Sequence, residues 1–546
     1  MSVAPALTFR DDAFQRLKRI SAPDVLILGG GVNGVATLRD LALNGLSAIL
    51  LDSNDFCAGA SSASSRMAHG GLRYLEGREF RLVAESALER NLLLRHASHF
   101  VRPLEIVVPL KSITRGLFAA ALRFSGLSQD SGPMSLVALK AGLTLYERFG
   151  TVERMLPKHS ATMDPARFPA ALHKGTKAIV RYFDGQIDNP EGLIFEMLAE
   201  AVAITPDVAA LNHASWTLGD DGAVVVEEPS GGAITLRPRV ILNASGAWID
   251  AVNARLGLQT RHVRGVKGAH LVLRHAKLHE RMAGRAFYFD DGTGRMVICL
   301  PLADTVLMGT TEVETPDPDD GAVARDEVTY LLGALARLFD DITVTRENVV
   351  AVTTGIRPLQ QGAGSANRAA RDHCLVEDRL ANGAPVLSLV GGKWTTFRSF
   401  AELATDRILA LLARDRRVST RDRAYPGVGM TATDPLTRRY GALGATVAEF
   451  CAQAPDRPLV AAPAYTQREI IWLIRARAAC TLEDLVLRRT QLALAAELSV
   501  ETVADLAGIL AAEIDKGPDW VAAQVAKAKA DPRILGLRRH AHAEPV

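Results

Sequence analysis

Cysteine is scarce in this chain: five residues among 546, namely Cys57, Cys299, Cys374, Cys451 and Cys480, with no C-x-x-C pair. That argues against a disulfide framework and against a thiolate zinc site, and it fits a reducing cytoplasm. An excess of one charge is also missing. The 63 basic and 61 acidic residues leave a net charge of +2, too small for a dedicated nucleic-acid binder. No metal site and no nucleic-acid partner are therefore expected. No uncharged apolar run reaches the roughly 20 residues of a membrane span. The opening MSVAPALTFRDDAFQRLKRI carries acids early and lacks the apolar core of a secretory signal. Only one G-x-G-x-x-G unit occurs, which leaves no second dinucleotide site and no expectation of NAD binding.

That unit sits in VLILGGGVNGVATLRDLALNGLSAILLD, residues 25–52. Val25, Leu26, Ile27 and Leu28 have the length of a buried parallel strand. Gly29-x-Gly31-x-x-Gly34 follows, and Val35, Leu38, Leu41 and Ala42 then recur at helical spacing. Gly45 can end the helix, and 47–51 reads as a second strand closed by Asp52. Gly29 permits the tight turn, Gly31 lets the backbone approach a pyrophosphate, and Gly34 allows close helix–strand packing. The helix start offers free N–H groups to phosphates, and Asp52 can accept from ribose hydroxyls. Spacing alone gives a nucleotide cofactor and no more.

A chain of this length needs roughly two to four domains. Residues 8–20 read as a short basic amphipathic helix. The run 55–76 is rich in small residues and ends in His69, Arg73 and Tyr74, so it reads as a loop laid against a cofactor. Helices are expected over about 79–99, 190–203, 326–340 and 396–412. Strands at 270–273, 287–289, 296–300 and 305–308 follow one another without helices between, which signals an antiparallel sheet. Residues 431–530 are Ala-, Leu- and Arg-rich with helical periodicity. The expected fold is α/β: a Rossmann-type domain with an inserted antiparallel-sheet domain, plus an all-α C-terminal domain. Its nucleotide-binding pieces would be 22–100, 176–255 and 349–415, the inserted domain 101–175 and 256–348, and the helical domain 425–530.

Eight motifs then appear in order: GGGVNG, SSASSRMAHGGLRYLE, NASGAW, VKGAH, GTTEVE, GIRPL, RDH and GGKWTT. Together they resemble the FAD-dependent glycerol-3-phosphate dehydrogenases of the aerobic, membrane-associated kind, over roughly residues 22–410. The later TLEDLVLRRT, 481–490, resembles that family's helical C-terminal domain. The resemblance implies FAD, held without a covalent link, and oxidation of sn-glycerol 3-phosphate to dihydroxyacetone phosphate with electrons passed to a quinone. It also implies peripheral attachment to the cytoplasmic face of the inner membrane, for which 8–20 and 114–126 are the candidate segments. Homodimer formation stays open.

By the same resemblance FAD would be held by Gly29, Gly30, Gly31, Asn33, Gly34, Asp52, Ser62, Ser65, Met67, His69 and Gly246. Gly392, Lys393, Trp394 and Thr395, where a strand opens into a helix, would face the flavin ring and steady charge on its reduced form. Arg357 and Arg371, joined by Arg73, Tyr74 and Lys393, would hold the phosphate, since a planar guanidinium fork suits that anion. His69 and His270 compete for the base that takes the alcohol proton. Ser245 replaces a usual threonine, a mild change that keeps the hydroxyl. Three larger departures stand out: His373 replaces a usual tyrosine, Asp188-Asn189-Pro190 a more acidic segment, and 111–142 finds no match. These three bear on which polyol phosphate is used, an erythritol phosphate being the nearest alternative. An amino-acid oxidase of the same fold and a non-catalytic flavin-binding protein are the remaining rivals.

Overall fold

Alternation along the strand Val25–Leu28 decides how the first layer is built. In the computed structural model, which describes residues 8–71, 79–114, 136–362, 372–430, 434–496 and 498–538, this strand is central. It runs parallel to Ala48–Leu51 on one side and to Val240–Asn243 on the other. Val208–Leu211 and Pro385–Val390 extend the sheet, and antiparallel Cys374–Arg379 closes it at six strands. Successive side chains of a strand point to opposite faces. Val25 and Ile27 accordingly join Leu38, Phe195 and Phe400 of the helices Val32–Leu43, Pro190–Ile204 and Phe397–Leu411. Leu26 and Leu28 face the other way, onto Leu17 of the helix Phe9–Arg19 and onto Trp216 and Val224 of a separate three-stranded sheet.

The helix Phe9–Arg19 thus buries Ala13 and Leu17 in the protein core. Its apolar side is taken, which removes residues 8–20 as a membrane-facing amphipathic segment. The other segment considered for that role, 114–126, lies outside the described residues from 115 on.

A second sheet has ten strands, antiparallel throughout its pairings except where Ala286–Asp290 runs parallel to Val101–Leu110. Val263–Leu273 is its pivot, paired with both Val306–Gly309 and Val349–Gln360. Two strands fall across the expected boundaries. Ala178–Ile187 pairs with Val101–Leu110, and Val349–Gln360 with Val263–Leu273, so both belong to this sheet and not to nucleotide-binding pieces. Periodicity reports how a strand is buried but not which distant strand it pairs with. The short strands Val208–Leu211 and Cys374–Arg379 also escaped the sequence reading.

From Pro435 onward helices enclose a core of their own, built on Tyr440, Ile470, Leu473, Leu506 and Leu510. A hairpin of Pro458–Leu459 and Ala462–Thr466 interrupts the otherwise helical domain. One buried ion network pins this domain to the Rossmann sheet. Asp55 accepts from Arg488 Nε at 2.5 Å and from both terminal nitrogens of Arg489 at 2.6 and 2.7 Å. All three side chains are at most 4% exposed. Removing one partner of such a group leaves an uncompensated buried charge, at a cost of about 3–5 kcal/mol.

Candidate active site

The carboxyl ends of the parallel strands open into a cleft of about 1000 Å³ that reaches across to the ten-stranded sheet. Glycines make its floor. A Cβ on Gly34 would lie 2.0 Å from the Gly29 carbonyl oxygen, and one on Gly29, where φ is +114°, 2.7 Å from the Ala244 backbone. Helix and strand therefore meet backbone to backbone, as close approach to a pyrophosphate requires. Asp52 is oriented by the Gly30 N–H at 2.6 Å and the Asn54 N–H at 2.8 Å. Burial nevertheless raises its carboxyl above the ordinary value, those two hydrogen bonds opposing the rise. A bare-backbone cradle, an oriented carboxylate at the second strand end and a cleft of this volume fit a dinucleotide bearing a planar ring.

The run GGKWTT closes the opposite wall. Gly391 and Gly392 have φ of +84° and +97°, and a Cβ on Gly392 would lie 2.6 Å from Asn33 Nδ2. Asn33 donates to the Gly391 carbonyl at 3.3 Å, joining the two glycine turns. The Trp394 indole donates to the Ser61 carbonyl at 2.8 Å. Thr395 Oγ accepts the His69 N–H at 3.0 Å and donates to the His69 carbonyl at 3.2 Å. Gly29, Gly31, Asn33, Asp52, Ser65, Met67, His69, Gly246, Gly392, Lys393, Trp394 and Thr395 all line the cleft.

Three of the expected cofactor residues do not. Gly30 and Gly34 act through packing, with the Phe56 ring and the Gly29 backbone in the way of any side chain. Ser62 closes its own turn on the Gly59 carbonyl at 3.2 Å, and its neighbour Ser61 lines the cleft instead, accepting the Val32 N–H at 3.0 Å. A run of serines carries no sign of which hydroxyl turns inward. Arg73, Tyr74 and Arg371 lie outside the described residues. His373 is set against the Phe400 ring at 4.4 Å and beside Glu85 at 3.6 Å.

His270 and Arg357 come together where the strands Val263–Leu273, Val306–Gly309 and Val349–Gln360 meet. His270 stands opposite Gly309, whose missing side chain makes room for the ring: a Cβ there would be 2.1 Å from His270 Cδ2. The next residue, Thr310, accepts from Arg357 at 3.1 Å through its hydroxyl. Ser65 Oγ lies 2.8 Å from His270 Nε2. At 2% exposure His270 has its pKa lowered to about 3, first by burial and then by the Arg357 charge. Glu312 holds two arginines, Arg357 at 3.6 Å and Arg295 at 3.7 Å, and Arg295 also donates to the Thr310 carbonyl at 2.7 Å. Thr310, Glu312 and Arg295 had no role in the sequence reading. GTTEVE marked the first two as part of a motif, whereas Arg295, in a glycine-rich hairpin, looks like a surface residue.

A family described as FAD dependent oxidoreductase matches residues 24–398, and one described as C-terminal domain of alpha-glycerophosphate oxidase matches residues 386–520. A glycerol-3-phosphate dehydrogenase of Synechocystis sp. is 30% identical over 518 residues, covering 87% of this chain and 89% of the relative. The chain belongs to the FAD-dependent glycerol-3-phosphate dehydrogenase family. Its cofactor is FAD and it is an oxidoreductase. Another family relative, a D-erythritol 1-phosphate dehydrogenase of Brucella abortus, is likewise 30% identical, over 506 residues, covering 86% of this chain and 94% of that protein. The FAD complex of a glycerol-3-phosphate dehydrogenase from Bacillus halodurans shares the fold of this family member over 99% of its length and 100% of the other chain, with a TM-score of 0.70 at 19% identity.

Proposed function

We propose that the chain oxidises sn-glycerol 3-phosphate to dihydroxyacetone phosphate and passes the electrons to a quinone. The observation that carries this reading is the pairing of an uncharged histidine with an arginine fork in one cleft, both framed by Gly309 and Thr310. His270 is the base that takes the C2 hydroxyl proton; burial keeps it unprotonated at neutral pH but also lowers its proton affinity. Ser65 fixes the ring through Nε2. Arg357 holds the phosphate, with Arg371 as its partner in that role, and Lys393 and His69 complete the walls. A phosphate dianion at Arg357 offsets the positive charge that depresses His270, so substrate binding strengthens the base. FAD, when bound, supplies the acceptor for the hydride leaving C2.

The same chemistry on an erythritol phosphate is the second reading, favoured by the Brucella relative's equal identity to this chain. Both readings meet one test, anaerobic bleaching of the bound flavin by a panel of phosphorylated polyols. Fast bleaching by glycerol 3-phosphate supports the first reading, and faster bleaching by an erythritol phosphate supports the second. A flavin that no polyol phosphate bleaches would count against both.

For a quinone the enzyme must reach a membrane, and among the described residues no helix is long and apolar enough to cross one. Peripheral attachment is proposed through the start of the helix Leu136–Phe149. There Val137, 46% exposed, is backbone-bonded to Ile113, 37% exposed, and the exposed lysines Lys111, just before Ile113, and Lys140, just after Val137, flank them. Apolar side chains flanked by basic ones suit an anionic lipid surface. The protein should float with anionic liposomes, and Ile113→Ser with Val137→Ser should weaken flotation. Protein that stays at the bottom of the gradient leaves a soluble acceptor as the better reading.

A further inference from the structure

The helical C-terminal domain stands against the end of the cleft that holds Asp52. Asp55, three residues after Asp52, is the carboxylate that Arg488 and Arg489 clamp. Asn212 donates to the same Asp55 at 2.7 Å, and the adjacent His213 lies 2.9 Å from Asp484 of the helical domain. Residues 52–55 follow the strand Ala48–Leu51 and residues 212–213 follow Val208–Leu211. Both segments that leave the sheet at its nucleotide-binding edge are therefore tied to the helical domain, not to solvent. Ligands of open parallel sheets sit outside these carboxyl ends.

The helical domain also contributes wall to the same cleft. Thr481, Glu483, Lys527 and Arg533 line it together with Asp52 and Asn54. Arg533 lies 3.2 Å, Arg488 3.5 Å and Lys527 3.9 Å from Glu483, so three cations converge on one carboxylate there. Arg533 is steadied from behind by Asp531 at 2.7 Å. Glu483 at 27% and Arg533 at 37% are part-exposed, as groups facing a cleft are, and Lys527 at 71% stands at its rim. Nothing in the chemistry proposed for His270 and Arg357 uses them.

We infer that the helical C-terminal domain is a working wall of the cofactor site, with Arg533, Lys527 and Glu483 binding the adenosine-diphosphate half of FAD. A carboxylate can accept from the adenine amino group or a ribose hydroxyl, and Arg533 and Lys527 suit the negative charge of the pyrophosphate. The ion network around Asp55 then has a second consequence. It sets the distance between the carboxylate on the sheet side, Asp52, and the charged groups on the domain side. The inference rests on FAD as the cofactor and is independent of which polyol is oxidised.

The test uses full-length protein stripped of flavin and measures binding by flavin fluorescence, so no turnover enters. Arg533→Ala should raise the dissociation constant for FAD about tenfold or more, a loss of about 1.4 kcal/mol. It should raise that for ADP, read by its displacement of FAD, by the same factor and leave that for FMN, which has no adenosine, unchanged. Should Arg533→Ala fail to fold, Lys527→Ala, at an exposed side chain, and the near-isosteric Glu483→Gln are to be read the same way, each with a smaller loss. FAD affinity within twofold of the native protein in the folded variants overturns the inference. So does a parallel loss of FAD and FMN, or a loss for FAD with none for ADP.

Discussion

Replacing His270 by alanine should lower kcat by about 10²- to 10⁴-fold, the usual contribution of a positioned acid–base group, while FAD content stays native. The environment also fixes the pH at which this base fails. With its pKa lowered to about 3 by burial and by Arg357, His270 in the free enzyme stays unprotonated from neutrality down to mildly acid solution. After correction for ionisation of the substrate phosphate, which titrates near pH 6, kcat/KM should show no inflection from His270 between pH 7.5 and 5. The stability consequence has a definite sign. Unfolded histidine titrates near 6.5, so between about 6.5 and 3 the unfolded chain binds a proton the folded one refuses. Stability falls as pH drops through that window and the loss levels off below the folded pKa. His270→Ala should flatten this part of the stability profile. His69→Ala is the comparison variant: if it loses kcat as deeply while His270→Ala does not, His69 is the base.

How much of this was readable in advance follows a physical divide. Local features were legible because their causes are local. The strand–turn–helix unit from Val25 to Asp52 has its glycines where backbone meets backbone, and the structure places Gly29 and Gly34 in that contact. The succession of strands expected from 270 to 308 foretold the second sheet. Features fixed by distant partners were hidden. Nothing local to Ala178–Ile187 says that it pairs with Val101–Leu110. Similarly, the inward serine is Ser61 and not Ser62 because Val32 of a remote helix needs an acceptor. The buried arginines show the same limit. Arg488 and Arg489 stand in a helical segment and look like a solvated pair, yet both are consumed by Asp55, more than four hundred residues earlier in the chain. Glu312 stands within the GTTEVE motif, but its hold on Arg295 and Arg357 exists only once three strands are in register.

Arg357→Ala should cut kcat/KM for glycerol 3-phosphate by about 30- to 1,000-fold, corresponding to about 2–4 kcal/mol for a lost charged phosphate contact. The diagnostic quantity is the ratio to unphosphorylated glycerol. An arginine that grips phosphate leaves glycerol turnover little changed when removed, so the preference collapses. One that merely braces the strand lowers both substrates together. The structure gives reason to separate these outcomes, because Arg357 also bonds Thr310 and faces Glu312. Arg357→Lys refines the reading: it keeps the charge but loses the planar fork, and should recover only part of the preference. Arg371→Ala, at a position outside the described residues, should match Arg357→Ala if the two share the phosphate. Arg295→Ala provides the control within the same cluster, since Arg295 also faces Glu312 and bonds the Thr310 carbonyl. Should the Arg357 and Arg371 variants keep the native preference for phosphorylated substrate while Arg295→Ala loses it, the phosphate site belongs to Arg295 and the assignment made above is wrong.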